Sequence, residues 1–254
     1  MKMKFSKIWR PALALLLFLF LWEGLTRFLE IEPWVLPAPS LIMKEMIEVF
    51  PSFTPHIIST VKLVLIGFTF GILAGITTAT ILHVFPKVRE TIMPFLVISQ
   101  NVPIIVLAPL FMIWFGMGDF PKVLIIAMTA FFPIAIATLD GFGQTDRELM
   151  HYMKMMGATR KQIFFKLQLP HAIPSIFSGI KIAATYSVMT GVVAEWLGAQ
   201  QGIGVFMTLS ASSYRTPRVF VAIVVTIILS LAFFGLFLAL EKLFTRWNRE
   251  GVEK

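Results

Sequence analysis

The sequence contains no cysteine and few charged residues. Of its 254 residues, 14% are charged and 57% are hydrophobic, whereas a soluble domain carries about 25% charged residues. The absence of cysteine excludes disulfides, thiolate metal sites and cysteine nucleophiles. The mean hydropathy of +0.82 is too high for a surface that faces water on all sides. The composition therefore indicates an integral membrane protein.

Sequence motifs for nucleotide binding and catalysis are also missing. No Gly-x-x-x-x-Gly-Lys-Ser/Thr loop is present, so the chain lacks the lysine loop that holds ATP phosphates. His151 and His171 share one loop, but two histidines alone make a poor metal site. Asp140 and Asp146 resemble helix-end residues rather than a hydrolytic pair. We therefore expect no catalytic site and no bound metal or cofactor.

Several apolar runs are long enough to cross a bilayer, for which a helix needs about 20 mostly apolar residues. The runs lie at residues 11–28, 57–85, 91–115, 122–139, 173–197 and 219–244. In the second run, Gly67, Gly71 and Gly75 form a ladder of the kind that lets membrane helices approach closely. The sequence predicts an all-α membrane protein with about six transmembrane helices.

Basic residues concentrate in alternate connecting segments. Of the 22 Lys and Arg residues, 15 lie in segments predicted to be cytoplasmic, 6 lie in external segments or outer helix ends, and Lys181 is unassigned. The cytoplasmic set includes Arg246, Arg249 and Lys254. This distribution follows the positive-inside rule and predicts that both termini are cytoplasmic. We attribute the net charge of +8 to membrane topology rather than to nucleic-acid binding.

The first 56 residues differ from the rest of the chain. A basic N-terminus leads into the first transmembrane helix, and a helix from Ser40 is expected to lie on the outer interface of the membrane. Residues 57–248 are predicted to form the main transmembrane domain. Its longest polar loop, residues 141–171, is net basic, which predicts a cytoplasmic location.

This loop has the pattern of two short helices. Asp146 stands at the start of a helical pattern, and Gly157 suits a left-handed helix end. A second helix is expected from about Thr159, with a stop at Pro170. The resulting helix-turn-helix would offer basic and apolar faces to a partner's groove.

The same loop resembles the coupling loop of ABC importer permeases. That family's pattern is Glu-Ala-Ala, three residues, Gly, nine residues and Ile-x-Leu-Pro. Gly157, followed here by Ala158, matches the glycine, and Leu167, Leu169 and Pro170 match the end at the right spacing. The resemblance implies that this loop binds an ATPase subunit.

The Glu-Ala-Ala positions are occupied by His151, Tyr152 and Met153. This departure removes any ionic contact that the family's glutamate makes, and it affects the shape of the loop less than it affects that contact. Residues 109–116 and 194–204 are similar to the sulfonate, nitrate, taurine and thiamine-precursor branch of the superfamily. The resemblance extends over about residues 35–248.

The resemblance implies a MetI-like type I fold and a mechanism with several partners. Two permease copies, expected to be a homodimer, form a path through the lipid of the bacterial inner membrane. A dimer of ATPase subunits binds the two coupling loops, and an extracytoplasmic solute-binding protein delivers the solute. Because ATP and its magnesium ion bind the ATPase, this chain is expected not to be an enzyme.

Polar residues inside the apolar runs are candidates for the translocation path, because they are expensive in lipid. Glu195 is expected to act as a gate or docking residue, and the alternative is an ion pair with Arg215 or Arg218. Lys181 would line the path or extend to the interface.

Four further candidates lie in the third and fifth runs. Gln100 and Asn101 precede Pro103 in an interrupted helix, where freed backbone groups can face a polar cavity. Solute contact and interhelical hydrogen bonding both fit these two residues. Tyr186 and Ser187 are candidates to line the path.

The substrate is predicted from resemblance alone. Residues 194–199 look closest to permeases for a thiamine-precursor pyrimidine, and an aliphatic sulfonate, taurine or nitrate is the alternative. A different class of function is an ion-coupled carrier or channel. Such carriers usually place acids at mid-membrane, whereas Glu195 and Asp119 are the nearest acids here and both lie at an edge.

Overall fold

The protein's structure, a computed structural model, describes residues 2–245, and for residues 2–8, 104 and 105 it describes the backbone alone. Arg246, Arg249 and Lys254 of the predicted charge pattern lie outside the described residues. Within the described part the chain is helical and has no strands. The elements are α1 (Lys2–Phe28), α2 (Pro39–Val84), α3 (Pro86–Gln100), α4 (Ile104–Phe115), α5 (Asp119–Gly143), α6 (Arg147–Met155), α7 (Arg160–Ile163), a π-helical turn (Phe164–Gln168), α8 (Leu169–Glu195), α9 (Ile203–Ser212) and α10 (Thr216–Phe244).

Five helices among the described residues are long and apolar enough to span a membrane. The spans lie at Trp9–Phe28, Pro39–Val84, Asp119–Gly143, Arg160–Glu195 and Thr216–Phe244. The predicted third crossing is divided between α3 and α4. Pro103 ends the first half because a proline has no N–H to donate and disfavours helical backbone at the residue before it.

The glycine ladder of α2 packs directly against α5. A Cβ atom added at Gly67 would lie 2.7 Å from Cβ of Ile126, and one at Gly71 would lie 2.5 Å from Cβ of Ala130. Only glycine permits this approach of the two backbones. The paired residue numbers rise together, so α2 and α5 are parallel. The chain between them must therefore return across the bundle.

Helices α3 and α4 together make this return. Met93 of α3 packs against Leu82 and Leu139, near the end of α2. Phe111 of α4 packs against Ile125, near the start of α5. The bundle thus contains five single long helices and a sixth passage made of two shorter helices, in agreement with the predicted number of about six.

Helix α2 is longer than the sequence predicted. The expected interfacial helix from Ser40 and the expected crossing at residues 57–85 form one helix of 46 residues, about 69 Å long. The predicted domain boundary between residues 56 and 57 therefore falls inside a helix. Helical continuity through Pro51 and Pro55 is supported by packing, because the preceding turns bury Ile42 and Val49 against α9 and α10.

The centre of the bundle lies where α5 packs between α2 and α8. Ile126, Ala130 and Ile134 of α5 are completely buried. Gly179 of α8 approaches α5 closely, since a Cβ there would lie 2.8 Å from Cβ of Ala137. Residue numbers in these two helices run in opposite directions, so α8 is antiparallel to α5. This places α6 and α7 at one end of the bundle, the hairpin end, and α9 at the other, the α9 end.

Helix α1 lies at the edge of the bundle. Trp22 stacks near Phe220 at 5.6 Å between ring centroids, and Glu23 accepts hydrogen bonds from the backbone N–H and the hydroxyl of Ser40. Most of its other large apolar side chains, such as Phe20, are exposed. A surface of this kind suits lipid.

Candidate functional site

The hairpin formed by α6 and α7 (residues 146–163) has strong local caps. The Asp146 side chain accepts a hydrogen bond from the backbone N–H of Glu148 at 2.7 Å, which satisfies a free donor of the first turn. Gly157 has φ +79°, a left-handed conformation that favours glycine. Thr159 and Gln162 then form a capping box at the start of α7. The predicted helix-turn-helix is confirmed.

The predicted stop at Pro170 is wrong. Helix α7 continues through a π-helical turn into α8, giving one helical run from Arg160 to Glu195. In the π-helical turn, Leu169 donates its N–H to the carbonyl of Phe164, five residues earlier. Pro170 is the second residue of α8, where a missing N–H is tolerated after this change of pattern. The hairpin is therefore continuous with a membrane-spanning helix through the π-helical turn.

One face of the hairpin is anchored and the other is bare. Ile163 is buried, and the ring of Phe164 stands 5.5 Å from that of Phe142. On the other side, Met155 is 80% exposed and Met156 is 72% exposed. The hairpin and the adjoining π-helical turn also carry five exposed basic residues: Arg147, Lys154, Arg160, Lys161 and Lys166.

The predicted coupling residues fall into two groups on this hairpin. His151, Tyr152 and Gly157 are exposed. The half-buried group is Met153, Ala158, Leu167, Leu169 and Pro170. The first group belongs to the bare face, and the second joins the hairpin to the bundle.

A cavity of about 360 Å³ lies between the α3–α4 break, α5 and α8. Gln100 and Tyr186, predicted separately, both line it. Thr129 and Thr190 add two hydroxyl groups to a wall that is otherwise mainly apolar. Such a cavity, with few polar groups in an apolar wall, is typical of a small-molecule binding site.

Three of the other predicted path residues do not line this cavity. Asn101 donates its side-chain amide to the carbonyl of Val97 at 2.9 Å. Ser187 is completely buried, and its hydroxyl has no partner in the described part of the chain. Lys181 forms an ion pair with Glu241 at 2.6 Å, which ties α8 to α10 near the hairpin end.

Glu195 caps the start of α9 from a different helix. Its carboxylate accepts from the Thr60 hydroxyl at 2.7 Å and from the Gly204 backbone N–H at 2.8 Å. Thr60 in turn accepts from the N–H of Ile203 at 2.8 Å. The carboxyl group therefore lies at the positive end of the α9 helix dipole. Glu195 is only 2% exposed.

Neither predicted alternative partner, Arg215 or Arg218, forms an ion pair with Glu195 within the described part of the chain. Arg218 pairs with Glu45 of α2 at 2.6 Å, so it is not the partner of Glu195. His56 supplements the cap, because its Nδ1 atom accepts a hydrogen bond from the backbone N–H of Gly202 at 3.1 Å. A Cβ atom at Gly202 would overlap the Glu195 carboxylate, so glycine is required beside the acid.

A second, polar pocket of about 540 Å³ lies at the α9 end. Its polar lining comprises Ser59, Asp119, Lys122, Gln200 and Gln201. Lys122 is buried and pairs with Asp119 at 3.3 Å. The sequence prediction missed Lys122 and Thr60. A lysine in the first turn of an apolar helix was a usable signal, whereas Thr60 gave none.

The family comparison agrees with this architecture. Residues 67–246 match the sequence profile of the binding-protein-dependent transport system inner membrane component. The chain belongs to this family. It is therefore a multi-pass inner-membrane permease of the ABC importer type, and a permease subunit of this family is not itself catalytic.

Individual relatives span nearly the whole permease. It is 33% identical over 241 residues to the formylaminopyrimidine transport permease ThiX of Halalkalibacterium halodurans, covering 94% of this chain and 96% of the relative. It is 29% identical to the taurine transport permease TauC of Escherichia coli, covering 93% and 89% of the two chains.

A solved structure confirms the predicted MetI-like fold of the permease. Inward-facing MetNI, a methionine ABC transporter, contains a chain that matches with a TM-score of 0.60 at 18% identity. The match covers 77% of this permease and 97% of that chain.

Proposed function

We propose that this permease imports a thiamine-precursor pyrimidine as the membrane-spanning part of an ATP-driven importer. The observation that carries the substrate assignment is the 33% identity to a formylaminopyrimidine permease over almost the full length of both chains. The substrate reaches the α9 end on a solute-binding protein, and this end faces away from the cytoplasm.

The hairpin is the docking element for the ATPase subunit. It combines a bare apolar tip at Met155 and Met156 with a rim of basic side chains. An amphipathic helix that offers an apolar tip is a common way of filling a groove on a partner. ATP is hydrolysed on that partner, and the hairpin transmits the movement because α7 is continuous with α8.

The cavity that contains Gln100 and Tyr186 forms part of the translocation path. Two copies of the permease, as a homodimer, enclose the complete path between them. The break between α3 and α4 gives the cavity its polar edge, since Gln100 is the last residue of α3. In membrane proteins, irregular backbone at this depth is stable where it lines such a cavity.

Taurine or an aliphatic sulfonate is the second candidate substrate. The 29% identity to the taurine permease supports it, over a similar share of both chains. The earlier alternative of an independent ion-coupled carrier loses its basis with the family assignment.

An uptake assay tests the proposal. The permease would be reconstituted in liposomes with its ATPase subunit and with ATP inside, and the solute-binding protein with labelled formylaminopyrimidine or taurine would be added outside. ATP-dependent accumulation of formylaminopyrimidine alone is the expected result. Accumulation of taurine alone would transfer the assignment to the second candidate, and uptake by the permease without its ATPase would contradict the coupled mechanism.

A further inference from the structure

The polar pocket at the α9 end contains an unusually placed cation. The side chain of Lys122 is 7% exposed, whereas that of its partner Asp119 is 85% exposed. Both belong to the first turn of α5, where the helix dipole disfavours positive charge. The ion pair with exposed Asp119 compensates burial only weakly, and the second acid that interacts electrostatically with Lys122 is the buried Glu195. A charged side chain that is buried in a membrane protein, as Lys122 is, points to a functional role.

The part of the pocket wall formed by Gln200 and Gln201 is adjacent to a segment fixed by hydrogen bonds. Gln200 and Gln201 line the pocket, and the next residue, Gly202, is fixed by His56 at 3.1 Å through its backbone N–H. The cap formed by Glu195 and Thr60 secures the residues that follow. The pocket wall is therefore preorganised, which lowers the entropy lost when a ligand binds.

The chemistry of the lining selects the type of ligand. The two charged side chains of the lining, Lys122 and Asp119, have a summed charge of zero. The hydroxyl of Ser59 and the side-chain amides of Gln200 and Gln201 can both donate and accept hydrogen bonds. An anionic solute would be attracted by Lys122 and repelled by Asp119. A neutral solute that carries acceptors and donors would satisfy both.

We propose that this pocket is a vestibule that binds a neutral, nitrogen-containing heterocycle before it reaches the cavity at Gln100. The ammonium group of Lys122 donates to a ring nitrogen, and the carboxylate of Asp119 accepts from an N–H group of the solute. The proposal rests on the proposed import of a pyrimidine, because a formylaminopyrimidine offers ring nitrogens as acceptors and an amide N–H as donor.

Direct binding to the purified permease–ATPase complex, without the solute-binding protein, tests the vestibule. Equilibrium dialysis with labelled formylaminopyrimidine should show saturable binding. Lys122→Met should weaken it about tenfold, the effect of losing one hydrogen bond to a charged group. Lys62→Met is the matched control, because Lys62 is an exposed lysine of α2 outside the pocket lining, and it should bind as the unmodified complex does.

A second variant preserves the fold and changes only the charge. Asp119→Asn alters an exposed side chain and leaves the pocket with a net positive charge. Taurine, whose sulfonate is an anion, should not compete for the unmodified complex and should compete for Asp119→Asn.

The outcomes separate the two proposals. Absence of saturable binding, or equal affinity in Lys122→Met and Lys62→Met, would overturn the vestibule even if pyrimidine uptake is observed in liposomes. Absence of pyrimidine uptake in that assay would instead overturn the proposed substrate.

Discussion

At the level of single residues, Glu195 shows how an acid can be placed in an apolar bundle. Its two carboxylate oxygens receive one hydroxyl and one backbone N–H. Because the donors come from α2 and α9, the side chain joins three helices at one point. The side chain is almost completely buried, and we propose that it holds α9 in position.

Replacement of Glu195 should separate loss of hydrogen bonds from loss of charge. Glu195→Ala leaves the Gly204 N–H buried without a partner, which costs about 1–3 kcal/mol. Glu195→Gln keeps an acceptor for that N–H. We expect a lower thermal unfolding midpoint for the purified transporter with Ala, and a value much closer to the unmodified protein with Gln. Equal midpoints for the two variants would contradict the capping role.

Gly157 offers a test that involves backbone conformation alone. A Cβ atom at this position would meet no atom within 4 Å, so a side chain meets no steric obstacle in this chain. At φ +79°, however, a β-branched residue is strongly disfavoured, whereas asparagine is tolerated. Gly157→Val should therefore abolish ATP-driven uptake while membrane insertion persists, and Gly157→Asn should retain most of it. Normal uptake with Val would remove the turn from the mechanism.

At the level of elements, the hairpin exposes more apolar surface than its own fold requires. The side chains of Met155 and Met156 are bare although Ile163, on the opposite face, is buried. Apolar groups of this kind are typical of a surface that a partner covers.

Removal of the two methionines should weaken ATPase association without affecting the fold. The double variant Met155→Ser, Met156→Ser should recover less ATPase in affinity purification of the permease, because it removes the exposed apolar side chains that we propose as the docking surface. Met43→Ser is the matched control, because Met43 is an exposed methionine near the start of α2, and it should recover the normal amount. Equal recovery by both variants would exclude the tip from the interface.

The sequence predicted some elements well, because their geometry depends on residues that are close together in the chain. The turn at Gly157 and the glycine ladder at Gly67 and Gly71 depend on residue types whose geometry is restricted, so the pattern alone reveals them. The continuity of α2 and of α7 with α8 could not be predicted, because Pro51 and Pro170 are usually helix boundaries. In this fold, tertiary packing and a π-helical turn overcome that preference.

The contacts between residues of the candidate site could not be predicted from the sequence, because they depend on tertiary packing. Thr60 and Glu195 are separated by 135 positions, and no periodicity connects them. Gln100 and Tyr186 were selected individually as polar residues in apolar runs, and only the packing of α5 against α8 brings them to one cavity.

At the level of the whole molecule, the direction of insertion is open to a simple test. The chain has no cysteine, so each introduced cysteine is unique. Met156→Cys should react with an impermeant maleimide only when the cytoplasmic face is accessible, and Ser213→Cys only from the opposite face, because basic segments remain inside. The reverse pattern would invert the proposed topology and contradict ATPase docking at the hairpin.

The continuous helical run from Arg160 to Glu195, which includes the π-helical turn, is about 54 Å long at the α-helical rise per residue. One end of this run joins the hairpin that we propose as the docking element, and the other end carries the Glu195 carboxylate, which accepts a hydrogen bond from α9. If the proposed ATPase moves the hairpin, this helical run connects that movement directly to the start of α9. We therefore expect displacement of the hairpin and release of the solute at the α9 end to occur together.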